Sequence, residues 1–243
     1  MDAKRHLQKA IALDPSYAEA YYELGLLFKQ EDALDQALEH FQKAVNLKDD
    51  YAEAACELAI MLMHGGDLES SRNHFLNSLE INPNYAKSYF NYGLLLVLLE
   101  DVEEAKNNFD KVTEIDQNYA PAYFNKARLL TSPDDFEDAK KNYQTALDID
   151  EDYLDASYYL AKLYFGGKAT NKEGTVINRR DLKEAEIHFL KVLDIDENHY
   201  KAHYNLARIY SENGHHKKAE TSLRKAISLN KEYSKAHFLL AHV

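Results

Sequence analysis

A single cysteine, Cys56, stands in a chain of 243 residues. That excludes an internal disulfide framework and fits a reducing compartment. Proline and glycine are scarce too, at 4 and 8 residues, so no Pro-rich or Gly/Ser-rich linker breaks the chain and composition marks no domain boundary. No apolar run approaches the roughly 18 residues of a membrane span; the longest is YGLLLVLL at 92–99. The N-terminus lacks a charged start followed by an apolar stretch, so no signal peptide is read there. A cytoplasmic location is the resulting expectation.

Positive charge is also short where the chain begins. Residues 1–119 hold 10 Lys/Arg against 22 Asp/Glu, whereas residues 120–243 hold 19 of each. An acidic first half argues against general nucleic-acid binding, which needs clustered cations to neutralise phosphates. It leaves room for a local basic site in the second half.

Catalytic motifs are missing as well. The glycine pairs at 65–66 and 166–167 lack the Lys-Ser/Thr and the preceding strand of a phosphate loop. His199 and His203 stand four apart, but no third metal ligand is evident. His215 and His216 fall in a turn, and His40, His74 and His188 recur at one repeat position without clustering. Cys56 is expected to face a channel between Glu53 and Glu57, whose charges disfavour a thiolate. The expectation is a protein that is not an enzyme and holds no cofactor or metal.

What is present is a repeat of 34 residues. AEAYYELGLLFKQEDALDQALEHFQKAVNLKDDY (18–51) aligns with AKSYFNYGLLLVLLEDVEEAKNNFDKVTEIDQNY (86–119), and 52–85, 120–153 and 200–233 fit the same frame. Residues 154–199 fit once 12 extra residues, at about 166–180, are admitted. Partial units occupy 1–17 and 234–243. Within a unit, apolar or small residues at positions 4, 7, 8 and 11 form one helical stripe, and those at 20, 24, 27 and 28 form another. Position 8 is Gly25, Ala59, Gly93, Ala127, Ala161, Ala207 and Ala241, and position 20 is Ala or Ser throughout. Position 24 carries a large ring at Phe41, Phe75, Phe109, Tyr143 and Phe189. Second helices open on Asp in DVEE (101–104) and DLKE (181–184), where the Glu is expected to complete a capping box.

This pattern resembles the tetratricopeptide repeat family over essentially the whole chain. It departs from the family at position 32, where Pro occurs only as Pro15 and Pro83, and at Lys126, where an apolar residue is expected. The resemblance implies an all-α fold, a right-handed superhelical solenoid of antiparallel helix pairs forming one domain over 1–243. It also implies protein–protein recognition of a peptide or helix in the channel lined by the first helices.

Positions 2, 5, 6, 9 and 12 are expected to point into that channel. Position 5 is an aromatic row that includes Phe90, Phe124, Tyr158 and Tyr204, read either as core rings or as anchors for a ligand. Position 6 carries Asn91, Asn125 and Asn205, amides suited to an extended peptide backbone. The trio resembles the asparagine ladder of some members of the family, interrupted here by Glu23, Glu57 and Tyr159. Position 9 changes from Leu26, Ile60 and Leu94 to Arg128, Lys162 and Arg208, and Lys87, Lys201 and Lys235 appear at position 2. A channel that becomes basic toward its C-terminal end suits an acidic segment. No consecutive triplet supplies the dicarboxylate clamp of the chaperone-binding branch.

The predicted site thus comprises Lys87, Phe90, Asn91, Phe124, Asn125, Arg128, Tyr158, Lys162, Lys201, Tyr204, Asn205 and Arg208. The leading reading is a scaffold that binds a peptide or protein segment in units three to six. The alternatives are a homo-oligomer formed through open solenoid ends and the regulatory array of a larger enzyme. The insertion is expected to be a surface loop between two helices. Alternatively TVIN, flanked by Lys168, Lys172, Arg179 and Arg180, folds over the channel beside Lys162.

Overall fold

The computed structural model describes residues 2–170 and 175–243. They divide into two compact units, 1–117 and 118–243, each a stack of antiparallel helix pairs.

The first unit holds α1 (Asp2–Leu13), α2 (Ala18–Gln30), α3 (Leu34–Leu47), α4 (Ala52–His64), α5 (Leu68–Ile81), α6 (Ala86–Leu98) and α7 (Val102–Ile115). Helices α2 and α3, α4 and α5, and α6 and α7 pair as hairpins, with α3 on α4 and α5 on α6. The small residue at position 8 sets how closely a pair approaches. A Cβ added at Gly25 would lie 2.7 Å from the ring of Phe41, and one at Gly93 would lie 2.7 Å from that of Phe109. Phe41, Phe75 and Phe109 are fully buried. Each such ring contributes roughly 1.5–3 kcal/mol by leaving water.

The turn within a pair needs a left-handed residue at position 15. It is met by Asp32 (φ 58°), Gly66 (φ 86°), Glu100 (φ 61°) and Gly214 (φ 74°). The expected capping boxes form only in half. Asp101 accepts from the Glu104 N–H and Asp181 from those of Lys183 and Glu184. The caps' own N–H groups, however, donate to the carbonyls of Leu96 and Tyr164. The backbone turn thus takes the donor that the Glu would need, and Glu104 turns to Tyr92 and Arg72 instead.

The second unit holds α8 (Ala120–Leu129), α9 (Phe136–Ile149), α10 (Leu154–Gly166), α11 (Leu182–Ile195), α12 (Tyr200–Glu212), α13 (His216–Leu229) and α14 (Ser234–Leu240). Helix α8 is short because Pro133 follows: proline disfavours helical backbone before it, and a 3-10 turn, Pro133–Asp135, replaces the usual connection. Ser132 and Asp135 cap that turn reciprocally.

The insertion lies between α10 and α11. Its described part is an antiparallel hairpin of β1 (Lys168–Thr170) and β2 (Val176–Asn178), with Ala169 opposite Ile177. The loop expected from sequence therefore has regular backbone pairing, and β1 packs against the 3-10 turn. Gly167 makes this possible, since a Cβ there would lie 2.8 Å from the backbone of Arg179. Lys172 lies outside the described residues. No described helix is long and apolar enough to cross a membrane.

Candidate functional site

In the second unit the three cations of position 9 project from successive first helices, and each lies over aromatic rings. The Arg128 guanidinium is 5.6 Å from the ring centre of Phe124 and 5.7 Å from that of Tyr159. Lys162 Nζ lies 4.9 Å from Tyr159 and 5.8 Å from Tyr158. Arg208 lies 4.2 Å from Phe165 and 5.9 Å from Tyr204. None of the three makes an ion pair among the described residues. Their positive charge therefore stays available while ring faces hold their positions. Lys201 sits over Tyr200 at 5.7 Å.

Two open grooves flank these cations. One, of about 340 Å³, has Arg128, Lys162, Tyr143 and Tyr159 in its walls. The other, of about 610 Å³, is walled by β2, Phe165, Arg180, Arg208 and Glu212, with Lys168 at its rim. Arg180 is fixed there: its Nε donates to the Phe165 carbonyl at 2.8 Å, and its guanidinium pairs with Glu212 at 2.7 Å. The side of the hairpin that carries TVIN thus adjoins Arg208, and Gly166, Gly167 and Lys168 line a smaller groove with Lys162.

The position-5 rings at Phe90, Phe124, Tyr158 and Tyr204 pack against neighbouring rings, Phe124 in the core and the other three half-buried. Phe124 is buried, with its ring 5.1 Å from Tyr153 and 6.0 Å from Tyr143. Tyr158 packs on Phe189 and His199, Tyr204 on Tyr233, and Phe90 on Phe109. Each ring fills the wedge between a second helix and the start of the next repeat. Cys56 occupies the same place in the second repeat and is buried, not facing a channel as expected. Desolvation pushes its thiol up to about 11, so it is a poor nucleophile. Burial likewise pushes the Tyr158 phenol up to about 12.

The three asparagines adopt one conformation. Asn91, Asn125 and Asn205 donate at 2.8 Å to the carbonyls of Lys87, Pro121 and Lys201, one turn back on their own helices. One of the two N–H donors of each amide is thereby engaged within the helix. Asn125 Oδ1 meets Arg128 at 3.4 Å, and Asn205 is buried beneath the Tyr158 hydroxyl.

Lys87, Phe90 and Asn91 belong to the first unit, where the first-helix carboxylates Glu19 and Glu57 are paired with lysines of the same unit. Buried Glu57 receives hydrogen bonds from Lys87 and, at 2.8 Å, from Lys29. Burial raises its carboxyl, but the two ammonium groups overcome that and hold it below the usual 4.5. Glu19 pairs with Lys48 at 2.7 Å. His199 Nδ1 accepts from the Ala202 N–H and His203 faces the Glu197 carbonyl, so each ring has a local partner. No group of potential metal ligands occurs among the described residues.

Sequence reasoning did not single out Tyr159 or Phe165. Tyr159 stood only as an interruption of the asparagine series, yet it is the ring shared by Arg128 and Lys162. The available signal was a doubled tyrosine, Tyr158-Tyr159, beside a position-9 cation.

Residues 2–243 match the family model described as "Tetratricopeptide repeat protein 21 second ARM domain", and the chain belongs to that family of helical repeats. Among solved structures, PilF of Pseudomonas aeruginosa is similar at 17% identity and a TM-score of 0.78, covering 95% of this chain and 99% of its own. YrrB, described as a TPR protein with an unusual peptide-binding site, is similar at 24% identity and a TM-score of 0.63, covering 83% and 98%. The Cut9–Hcn1 structure of the APC/C is similar at 14% and 0.73, covering 99% of this chain but 45% of that one. At these identities the likeness is one of fold. No curated protein matches the chain.

Proposed function

We propose that the protein is an interaction scaffold that captures an acidic protein segment on the first-helix face of its second unit. The observation that carries this reading is the series Arg128, Lys162 and Arg208, held over rings and without carboxylate partners among the described residues. Cations held in place lose little conformational entropy on binding, which favours affinity for carboxylates. YrrB, similar in fold, is described as having a peptide-binding site.

Lys201, Tyr204 and Asn205 on α12 and Phe124, Asn125 and Tyr158 border the same face. In this reading the rings support the cations, and Asn125 offers a carbonyl to the segment's N–H groups. Lys87, Phe90 and Asn91 serve the first unit's own packing and have the weaker claim to contact a partner.

The test is affinity capture from the source cell with the wild-type chain and with Arg128→Glu combined with Arg208→Glu. Loss of an acidic partner from the variant, at unchanged helicity and melting temperature, supports the proposal. Undiminished capture by the double variant rejects it. Association should also weaken steeply with salt, because the charges involved are exposed.

A further inference from the structure

The wall of the larger groove is a strand with an unused edge. In the hairpin, the Arg179 N–H donates to the Gly167 carbonyl at 2.9 Å, which makes that pair a hydrogen-bonded one. Pair types alternate along an antiparallel ladder. Ala169 and Ile177 therefore bond each other, whereas Lys168 with Asn178 and Thr170 with Val176 are the non-bonded pairs. In β2 the N–H and C=O groups of Val176 and Asn178 thus point away from β1. Neither residue's backbone has another hydrogen-bond partner among the described residues. Both residues line the groove, and Val176 is 54% exposed.

The groove's charge selects what can lie along that edge. Arg208 has no carboxylate partner among the described residues, and Lys168 stands at the rim. Arg180 is already tied to Glu212. An acidic side chain is thus attracted to Arg208 in preference to the neutralised Arg180–Glu212 pair. Phe165 and Val176 supply an apolar floor for the neighbouring side chains.

We propose that β2 is a docking edge on which an extended acidic segment of a partner protein adds as a third strand. Its backbone pairs with Val176 and Asn178, and one of its carboxylates pairs with Arg208. Main-chain bonds provide affinity and the charged pair provides specificity. The site is a property of the inserted hairpin and not of the repeat. The inference rests on the cationic reading of this face and adds to it the partner's conformation and its strand edge.

The test measures binding of a fluorescent peptide of alternating glutamate and valine, with alternating lysine and valine as control. Val176→Pro removes the outward N–H while leaving the Ala169–Ile177 pairing in place. The expected result is binding of the acidic peptide alone, weakened about tenfold or more by Val176→Pro. A peptide N-methylated at alternate residues should lose binding to the untouched wild-type protein, which guards against misfolding of the variant. If Val176→Pro and the N-methylated peptide both bind normally while Arg128→Glu with Arg208→Glu abolishes binding, the strand edge is refuted and the cationic face stands. If the wild type does not prefer the acidic peptide, both readings fail. Concentration-dependent dimerisation that Val176→Pro abolishes, without peptide binding, would assign the edge to a second copy of the chain and overturn the proposal.

Discussion

The guanidinium of Arg208 lies 4.2 Å from the ring centre of Phe165, a residue of the preceding repeat. Arg180, from the end of the insertion, lies 4.6 Å from the same ring. One buried phenylalanine thus fixes two cations that are far apart in sequence. Replacing it with leucine keeps most of the apolar volume but removes the ring face. Phe165→Leu should cost about 1 kcal/mol in stability and weaken acidic-peptide binding several-fold, read by thermal melting and fluorescence anisotropy. Unchanged affinity would mean that the ring does not position Arg208.

Glu57 joins Lys29 and Lys87, residues of the first and third repeats, through one buried carboxylate. Glu57→Gln should destabilise the first unit by roughly 1–3 kcal/mol, less than for a fully enclosed pair because both lysines reach solvent. Its carboxyl lies below the usual 4.5 in the folded chain. The stability it contributes is therefore present above about pH 4.5 and lost as pH falls through the lower folded value. Acid titrations of wild type and variant should converge in that range.

His74, His188 and His199 are all held below the usual 6.5, each chiefly by desolvation. For His188, Glu184 opposes that shift and Lys191 assists it, while the ring stacks on Tyr164. A depressed histidine binds its proton more readily in the unfolded chain. Stability should then decline as pH falls below about 6.5, before the carboxylates titrate. His188→Phe should flatten that part of the profile, measured as urea midpoints between roughly pH 7 and pH 5.

Gly167 has no room for a side chain beside Arg179. Gly167→Val should displace the hairpin and raise amide exchange at Ile177 and Arg179. The helical melting transition should move little, because none of the hairpin side chains described, Lys168 and those of 175–178, is in the buried core. A large fall in melting temperature would show instead that the hairpin supports α10 and α11.

Glu100 holds a left-handed φ of 61° where two other repeats use glycine, Gly66 and Gly214. Glu100→Gly should stabilise the first unit by about 0.5–1 kcal/mol, the strain relieved exceeding the added freedom of the unfolded chain. Chemical denaturation of the two proteins would check this.

The helix pairs were legible in the sequence because their cause is local. Gly25 with Phe41 and Gly93 with Phe109 are small–large pairs at fixed spacing, and two helical stripes joined by a short turn bring such positions together. The cap of α11 was likewise legible in Asp181, whereas the early stop of α8 ahead of Pro133 emerged only from the structure. The cations of position 9 could be named, but not their seats. Sequence alone determined which faces are apolar and where cations recur along the second half.

Tertiary structure decided the rest. Whether Cys56 faces solvent, whether Lys87 is free to meet a partner, and which ring holds Arg208 depend on side chains roughly 30 to 45 residues apart. No short-range pattern encodes those distances. The hairpin escaped for a related reason: three-residue strands carry too little periodicity to be read, and their register is fixed by Gly167 fitting against Arg179. Repetition specified the solenoid, while the contacts between repeats and the one interruption determined which of its surfaces remain available for binding.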